Sequence, residues 1–173
     1  MNSSHDNGRR VVITGLGMVS PLGIGLDKVW ANLSAGKSGI EKIALFTPEG
    51  FVSQIGGEVR EFTDSTEKDF FYKKRRKSLK VMCREIKLGF LAALYALDDA
   101  GILGLEEEKI EPGKVDLERL GVEFGANLML SPPEALKDAC YACLESETNK
   151  FDMERWGSEG LGKMDPLWLL QYL

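Results

Sequence analysis

The residues in this sequence that bear on chemistry are a cysteine pair, two glycine-rich turns and one run of cations. Cys140 and Cys143 form a C-x-x-C. A metal would need further ligands, and only Cys83 and His5 remain, with His5 in a polar opening tail. A redox pair places its first Cys at a helix N-terminus, where the dipole lowers the thiol pKa. The apolar periodicity here puts both in mid-helix on the buried face, which reads as structural cysteine. Asp138-Ala139-Cys140 imitates a nucleophile motif in the same unsuitable setting. Gly15-x-Gly17 follows a β-branched run, but a dinucleotide fingerprint needs Gly where Ser20 stands and a helix where Pro21 stands. Gly36-Lys37-Ser38 imitates the end of a phosphate loop. Ala31 occupies its required first glycine, so the segment reads as a helix cap and a turn. With a single His in that tail, no Ser/His/Asp or Cys/His set can be assembled. Neither a metal nor a cofactor is expected.

Lys73-Lys74-Arg75-Arg76-Lys77 is the one charge anomaly in a chain of net charge −5. It reads either as a solvated helix entry or as a docking patch for an acidic partner. No aromatic residue interrupts the run and the overall field is negative, so nucleic acid is not the expected partner.

The elements that must position these residues follow from periodicity. Arg10–Thr14, with Val11, Val12 and Ile13, reads as a strand buried on both faces. The segment 15–23 breaks it. Asp27–Ala35 is an amphipathic helix with Val29, Trp30 and Leu33 on one face, stopped by Gly36 as a C′ glycine. Ser53–Val59 is a weak strand split by Gly56-Gly57. Ser78 is placed to cap a long helix, Leu79–Ala100, whose apolar face is Met82, Cys83, Ile86, Phe90, Ala93, Leu94 and Leu97. Gly101 ends it. An acidic connector over 98–118 leads to a second short buried strand, Leu120–Phe124. Pro132-Pro133 opens a helix from Glu134 to about Ser146, with Leu136, Ala139, Cys140, Cys143 and Leu144 inward. Residues 153–162 read as loop, and Asp165-Pro166 starts a final apolar helix.

Composition sets the outer bounds. A hydrophobic share of 43% and a charged share of 28% describe a soluble globular chain long enough for one core. The longest clean apolar run, 88–97, is too short to span a bilayer. Arg9-Arg10 and the run after it make a poor secretory signal, because Gly15 and Gly17 interrupt it. Three Cys make no disulfide framework, and the odd count points to a reducing, cytoplasmic setting. Residues 1–9 are expected to be a flexible tail.

The opening Arg10-Val-Val-Ile-Thr-Gly-Leu-Gly-Met-Val-Ser-Pro-Leu-Gly23 is more specific than any of these motifs. It resembles the start of the beta-ketoacyl-acyl-carrier-protein synthases, the condensing enzymes of fatty acid and polyketide synthesis. The likeness continues through Val29–Ile40, Ala92–Ile102 and Leu120–Gly125. The resemblance implies a thiolase-like α/β fold, two similar halves each built on a mixed sheet layered by helices and paired as a homodimer. Residues 10–173 would supply an incomplete first half. The glycine turn would then be a tight structural corner.

The family's chemistry implies a nucleophilic Cys at a helix N-terminus and two His that support decarboxylation of a malonyl unit and the carbanion's attack. All lie beyond the matching region, so no catalytic role passes to this chain. Two secondary roles do. Lys73, Lys74, Arg75, Arg76 and Lys77 fall where relatives dock the acidic acyl carrier protein. Leu128 falls in a loop that lines the acyl pocket, although Asn127–Leu130 is bulkier than the family's glycine-rich version. Two expectations follow. One is the N-terminal part of a divergent synthase whose catalytic Cys and His lie elsewhere. The other is a non-catalytic chain that binds a carrier protein or a synthase partner.

Overall fold

The computed structural model describes residues 10–71, 73–105, 109–110, 113–125 and 131–172. The expected tail, 1–9, and Leu128 lie outside the described residues. The chain divides into two compact units, Met1–Tyr72 with Gly89–Gly121, and Lys73–Leu88 with Val122–Leu173.

The first unit begins with the glycine-rich turn. β1 (Val19–Ser20) and β2 (Gly23–Ile24) form a tight antiparallel hairpin. α1 (Leu26–Ser34) follows. Its end has the geometry expected of a glycine stop. Gly36 sits at φ 67°, its N–H donates to Leu33, and the Lys37 N–H donates to Asn32. That double bond pattern satisfies carbonyls the helix leaves open. The Gly36-Lys37-Ser38 segment is therefore a cap, with the Lys37 ammonium on Asn32 Oδ1 at 2.9 Å. Only Val29 of the expected apolar face is buried, whereas Trp30 and Leu33 are exposed. The helix meets β1 and β2 along one narrow stripe, too narrow to cover three side chains.

β3 (Ile40–Lys42) and β4 (Ile55–Gly57) make a second antiparallel ladder, with Glu41 opposite Gly56. Pro21 fills the space beside it. A methyl group at Gly39 or Gly57 would come within 2.8 Å of the proline ring. The short α2 (Glu67–Phe70) follows. Phe62 and Phe71 are buried, and the Phe71 ring stacks on Phe90 with centroids 5.6 Å apart and planes 7° from parallel. α3 (Arg76–Leu79) lies in the second unit.

α4 (Arg84–Asp99) is the longest helix, and Leu91 and Leu94 are its buried residues. Gly101 ends it at φ 65°, with the Ile102 N–H donating to Leu97. The expected cap at Ser78 is not used. Ser78 lies inside α3, and the chain tightens to i→i+3 bonds at Val81 and Met82 before α4 begins. That change of phase lets both Leu79 and Cys83 turn inward, at 3% and 1% exposure. β5 (Leu103–Gly104) pairs with β6 (Lys109–Ile110) beyond α4.

The two strands expected at 10–14 and 120–124 carry no ladder among the described residues, where every sheet is two-stranded and antiparallel. Val11, Ile13 and Val122 stand at 96%, 80% and 88% exposure. A run buried on both faces needs strands beside it and layers above and below. Here Arg10–Thr14 has neither, and the apolar run does not become a strand.

The second unit is helical. α5 (Pro133–Ala142) starts at the proline pair and stops four residues before the expected Ser146. Ala139 within it and Cys143 just past its end, rather than in mid-helix as expected, are the deepest side chains here. Residues 153–162, expected to be loop, are helical throughout, and the helical run extends to Lys163. α6 (Met153–Arg155) runs into a wide π turn, Trp156–Gly160, and a 3₁₀ turn, Leu161–Lys163. The reason is close packing at Gly160, where an added methyl would meet Cys143 Sγ at 2.7 Å and Ala139 O at 3.3 Å. Glycines that looked like breakers let this helix lie against α5. α7 (Trp168–Tyr172) closes the described chain.

Candidate functional site

The cationic run is built as a helical ridge. Lys73–Arg75 form a 3₁₀ turn that passes directly into α3. Arg75 (φ −85°, ψ −13°) and Lys80 (φ −65°, ψ −25°) keep right-handed helical backbone, so the helical path runs from 73 to 80. Positions 73, 76, 77 and 80 are then spaced i, i+3, i+4 and i+7 and fall on one face. Lys73, Arg76, Lys77 and Lys80 are all exposed, while Leu79 turns inward and anchors the segment. Arg75 is also exposed and leaves the segment at a different angle. Lys74 shares the 3₁₀ turn. None of the four ridge side chains enters an ion pair among the described residues.

Lys80 was not among the candidates read from sequence. Its signal is the seven-residue interval from Lys73, visible only if the helical path starts at 73 rather than after a cap at 78. The chain net charge is −5, so this ridge is a local reversal of sign. Such a stripe attracts an anionic partner surface and is weakened by salt.

The cysteines are not arranged as nucleophiles. Cys143 is fully buried, and its thiol donates to the Ala139 carbonyl at 3.2 Å. Cys83 is 1% exposed, and burial pushes its thiol pKa up, away from the thiolate. Cys140 is half-buried in the last turns of α5, at the negative end of the helix rather than the positive one. No group of three or more His, Cys, Asp and Glu among the described residues is placed to hold a metal ion.

The glycine turn is explained by contact with α4. A methyl on Gly17 would lie 1.9 Å from the Ala92 carbonyl oxygen, and one on Gly15 would lie 2.3 Å from that of Ala96. Asp99 Oδ2 accepts from the Leu16 N–H at 2.8 Å and holds the turn there. The glycines admit a helix backbone. A second rigid feature stands on the other ladder. The Glu58 carboxylate accepts the N–H groups of Leu45 at 2.8 Å and Ala44 at 3.1 Å, and Arg60 Nε donates to it at 3.2 Å. Those bonds, Leu45 foremost, hold its pKa below the ordinary carboxylate range. Arg60 in turn reaches Glu41 and the Lys42 carbonyl, so this cluster ties the β3–β4 loop to the segment after it.

A glycine corner packed on a long helix, with short antiparallel ladders beside it, is a mixed α/β arrangement. The solved ishigamide ketosynthase/chain length factor shares it, with a TM-score of 0.59 over 95% of this chain and 34% of that one, at 24% identity. The profile of the family described as beta-ketoacyl synthase, N-terminal domain, matches residues 8–138. Among sequence relatives, 3-oxoacyl-[acyl-carrier-protein] synthase 2 of Coxiella burnetii is 35% identical over 69% of this chain and 26% of its own length. The tetracenomycin polyketide synthase ketoacyl synthase beta subunit of Streptomyces glaucescens is 38% identical over 65% of this chain and 24% of its own. The chain belongs to the beta-ketoacyl synthase family, in its N-terminal domain, with a thiolase-like α/β fold. It spans about a quarter of the length of these relatives. Among the described residues, no helix is long and apolar enough to cross a membrane.

Proposed function

We propose that this chain is the N-terminal part of an enzyme that condenses an acyl thioester with a malonyl unit held on acyl carrier protein. Its contribution is scaffold and carrier docking, with the nucleophilic Cys and the two His supplied from outside residues 1–173. The observation that carries this reading is the exposed cationic ridge, set just before the long helix of a ketosynthase N-terminal domain in an otherwise acidic chain. Lys73, Lys74, Arg75, Arg76 and Lys77 are the docking residues, and Leu128 belongs to the acyl-pocket loop. The complete assembly is a dimer acting in the cytoplasm. Reversing Arg75, Arg76 and Lys77 to Glu weakens binding of acyl carrier protein at low salt. Unchanged affinity there removes the ridge from the function.

A second reading is a non-catalytic chain that binds a carrier protein or a synthase partner. The burial of Cys83 and Cys143 fits both readings, since neither thiol is open to an acyl group. Intact mass and peptide mapping of the protein from its source cells separate the two. A mass well above 19.2 kDa, with peptides bearing a further Cys and two His, selects the first reading. A mass of 19.2 kDa selects the second. In both, residues 1–173 incubated with acyl and malonyl carrier thioesters yield no condensation product, and a beta-ketoacyl product detected by mass would overturn that expectation.

A further inference from the structure

A groove of about 540 Å³ in the second unit is lined by Asp138, Tyr141, Ala142 and Lys163. Asp138, Tyr141 and Ala142 stand at i, i+3 and i+4 of α5 and share one face of it. Lys163 ends the 3₁₀ turn Leu161–Lys163, which makes the other wall. The two walls are locked together beneath the groove. A methyl added at Gly160 would meet Cys143 Sγ at 2.7 Å and the Ala139 carbonyl at 3.3 Å, so that run of chain lies directly on α5. Asp152 caps the same run from its start. Tyr141 is 65% exposed, which leaves its ring open to a ligand. Tyr141, Ala142 and Lys163 all lie past residue 138, where the match to the family profile ends.

The groove carries one charge of each sign, on opposite walls. Neither Asp138 nor Lys163 enters an ion pair among the described residues, with each other or with a third group. A simple anion is drawn to Lys163 but repelled by Asp138, and a simple cation meets the reverse. A ligand that bears both charges satisfies both walls at once. We propose that this groove binds a dipeptide-sized zwitterion with an aromatic side group. Its ammonium pairs with Asp138, its carboxylate pairs with Lys163, and its ring lies on Tyr141. The two protein charges do not reach one another, so a ligand with its charges at its two ends suits the gap better than one with both on a single carbon. Two extended residues span roughly 7 Å. Ala142 supplies a small side chain between the charged walls, and the groove has the volume of an ordinary small-molecule site.

Saturation-transfer NMR, with the full 173-residue chain at micromolar concentration and alanylphenylalanine as the probe, tests the site. The free dipeptide binds, its ring protons receive the strongest transfer, and added salt weakens the binding. The N-acetyl dipeptide lacks the ammonium and the dipeptide amide lacks the carboxylate. Each binds about threefold more weakly, as expected for one exposed ion pair. These two probes test both charges on the wild-type chain, so the result does not depend on a variant folding. Asp138→Asn lowers affinity for the free dipeptide by a similar factor and makes acetylation neutral, because the ammonium has already lost its partner. Lys163→Gln does the same for amidation. Tyr141→Phe keeps wild-type affinity and Tyr141→Ser loses it. Equal affinity of the three probes for the wild-type chain overturns the pairing. Capping penalties that persist undiminished in Asp138→Asn and Lys163→Gln put the binding elsewhere and overturn the site. Phenylalanine that binds as tightly as the dipeptide overturns the ligand class. No transfer to millimolar dipeptide overturns the proposal outright. Carrier docking at residues 73–77 is independent of every one of these outcomes.

Discussion

A hydrogen in place of a methyl group sets how closely the opening turn approaches α4. At Gly17 the obstructing atoms are backbone, the Ala92 carbonyl and the Ala96 nitrogen, at 1.9 and 2.5 Å from an added methyl. Backbone of a packed helix cannot step aside as a side-chain tip can. Gly17→Ala should cost about 3 kcal/mol or more, the upper end of overpacking, measured by urea unfolding. Gly104→Ala is the control, since nothing lies within 4 Å of its added methyl. Equal losses in the two would sever the link between this turn and the helix. Glu58 makes a different prediction. Its carboxyl is held below its ordinary pKa by the Leu45 and Ala44 N–H groups. A group depressed on folding adds stability above its unfolded pKa, about 4.3 for Glu, and loses it as pH falls through the folded value. Glu58→Gln should therefore flatten the acid side of the stability profile, and superimposable profiles would count against the role. Cysteine reactivity is set by burial. In native protein a small alkylating reagent should mark Cys140 first and reach Cys83 and Cys143 only on unfolding, as read by peptide mass.

Elements in this chain are specified most clearly at their ends. Asp152 accepts the N–H groups of Glu154 at 2.8 Å and Arg155 at 3.1 Å, and so caps the helical run that leans on α5. Asp152→Ala should lower stability by about 1 kcal/mol, checked by thermal and denaturant unfolding, and a neutral result would show that packing at Gly160 alone holds the run. The helices whose stops are glycines with strong local chemistry, α1 at Gly36 and α4 at Gly101, were legible in the sequence, as was the proline start of α5. The run 153–163 was not legible, because Gly157, Gly160 and Gly162 look like breakers until the approach of Cys143 is known. The strands at 10–14 and 120–124 were misread for a related reason. A buried strand is a statement about neighbours, and a local apolar run carries no information on whether they are present. The cationic run was legible as a patch by type alone. Its geometry as a stripe including Lys80 was not, because that depends on the chain being helical from residue 73.

At the scale of the molecule, those same unpaired runs govern how the chain behaves in solution. Val11, Val12 and Ile13 stand at 96%, 71% and 80% exposure, and Val122 and Phe124 at 88% and 51%. Each run is β-branched or aromatic and borders an irregular segment, so it offers both apolar surface and open backbone groups to another chain. The net charge of −5 opposes association, but it is not placed to shield these runs, which contain a single carboxylate, Glu123. Between like copies, strand pairing at either run removes apolar area from water and satisfies backbone donors in the same step. The 173-residue chain should therefore self-associate, with a sedimentation coefficient that rises with protein concentration. Salt should strengthen the association by screening the net repulsion, the opposite of its effect on carrier binding at the ridge. Val12→Lys with Val122→Lys places a cation in each run and should return a monodisperse monomer with an unchanged helical spectrum. A wild-type chain that sediments as a single monomer at every concentration and salt level would show that 10–14 and 120–124 are covered in solution.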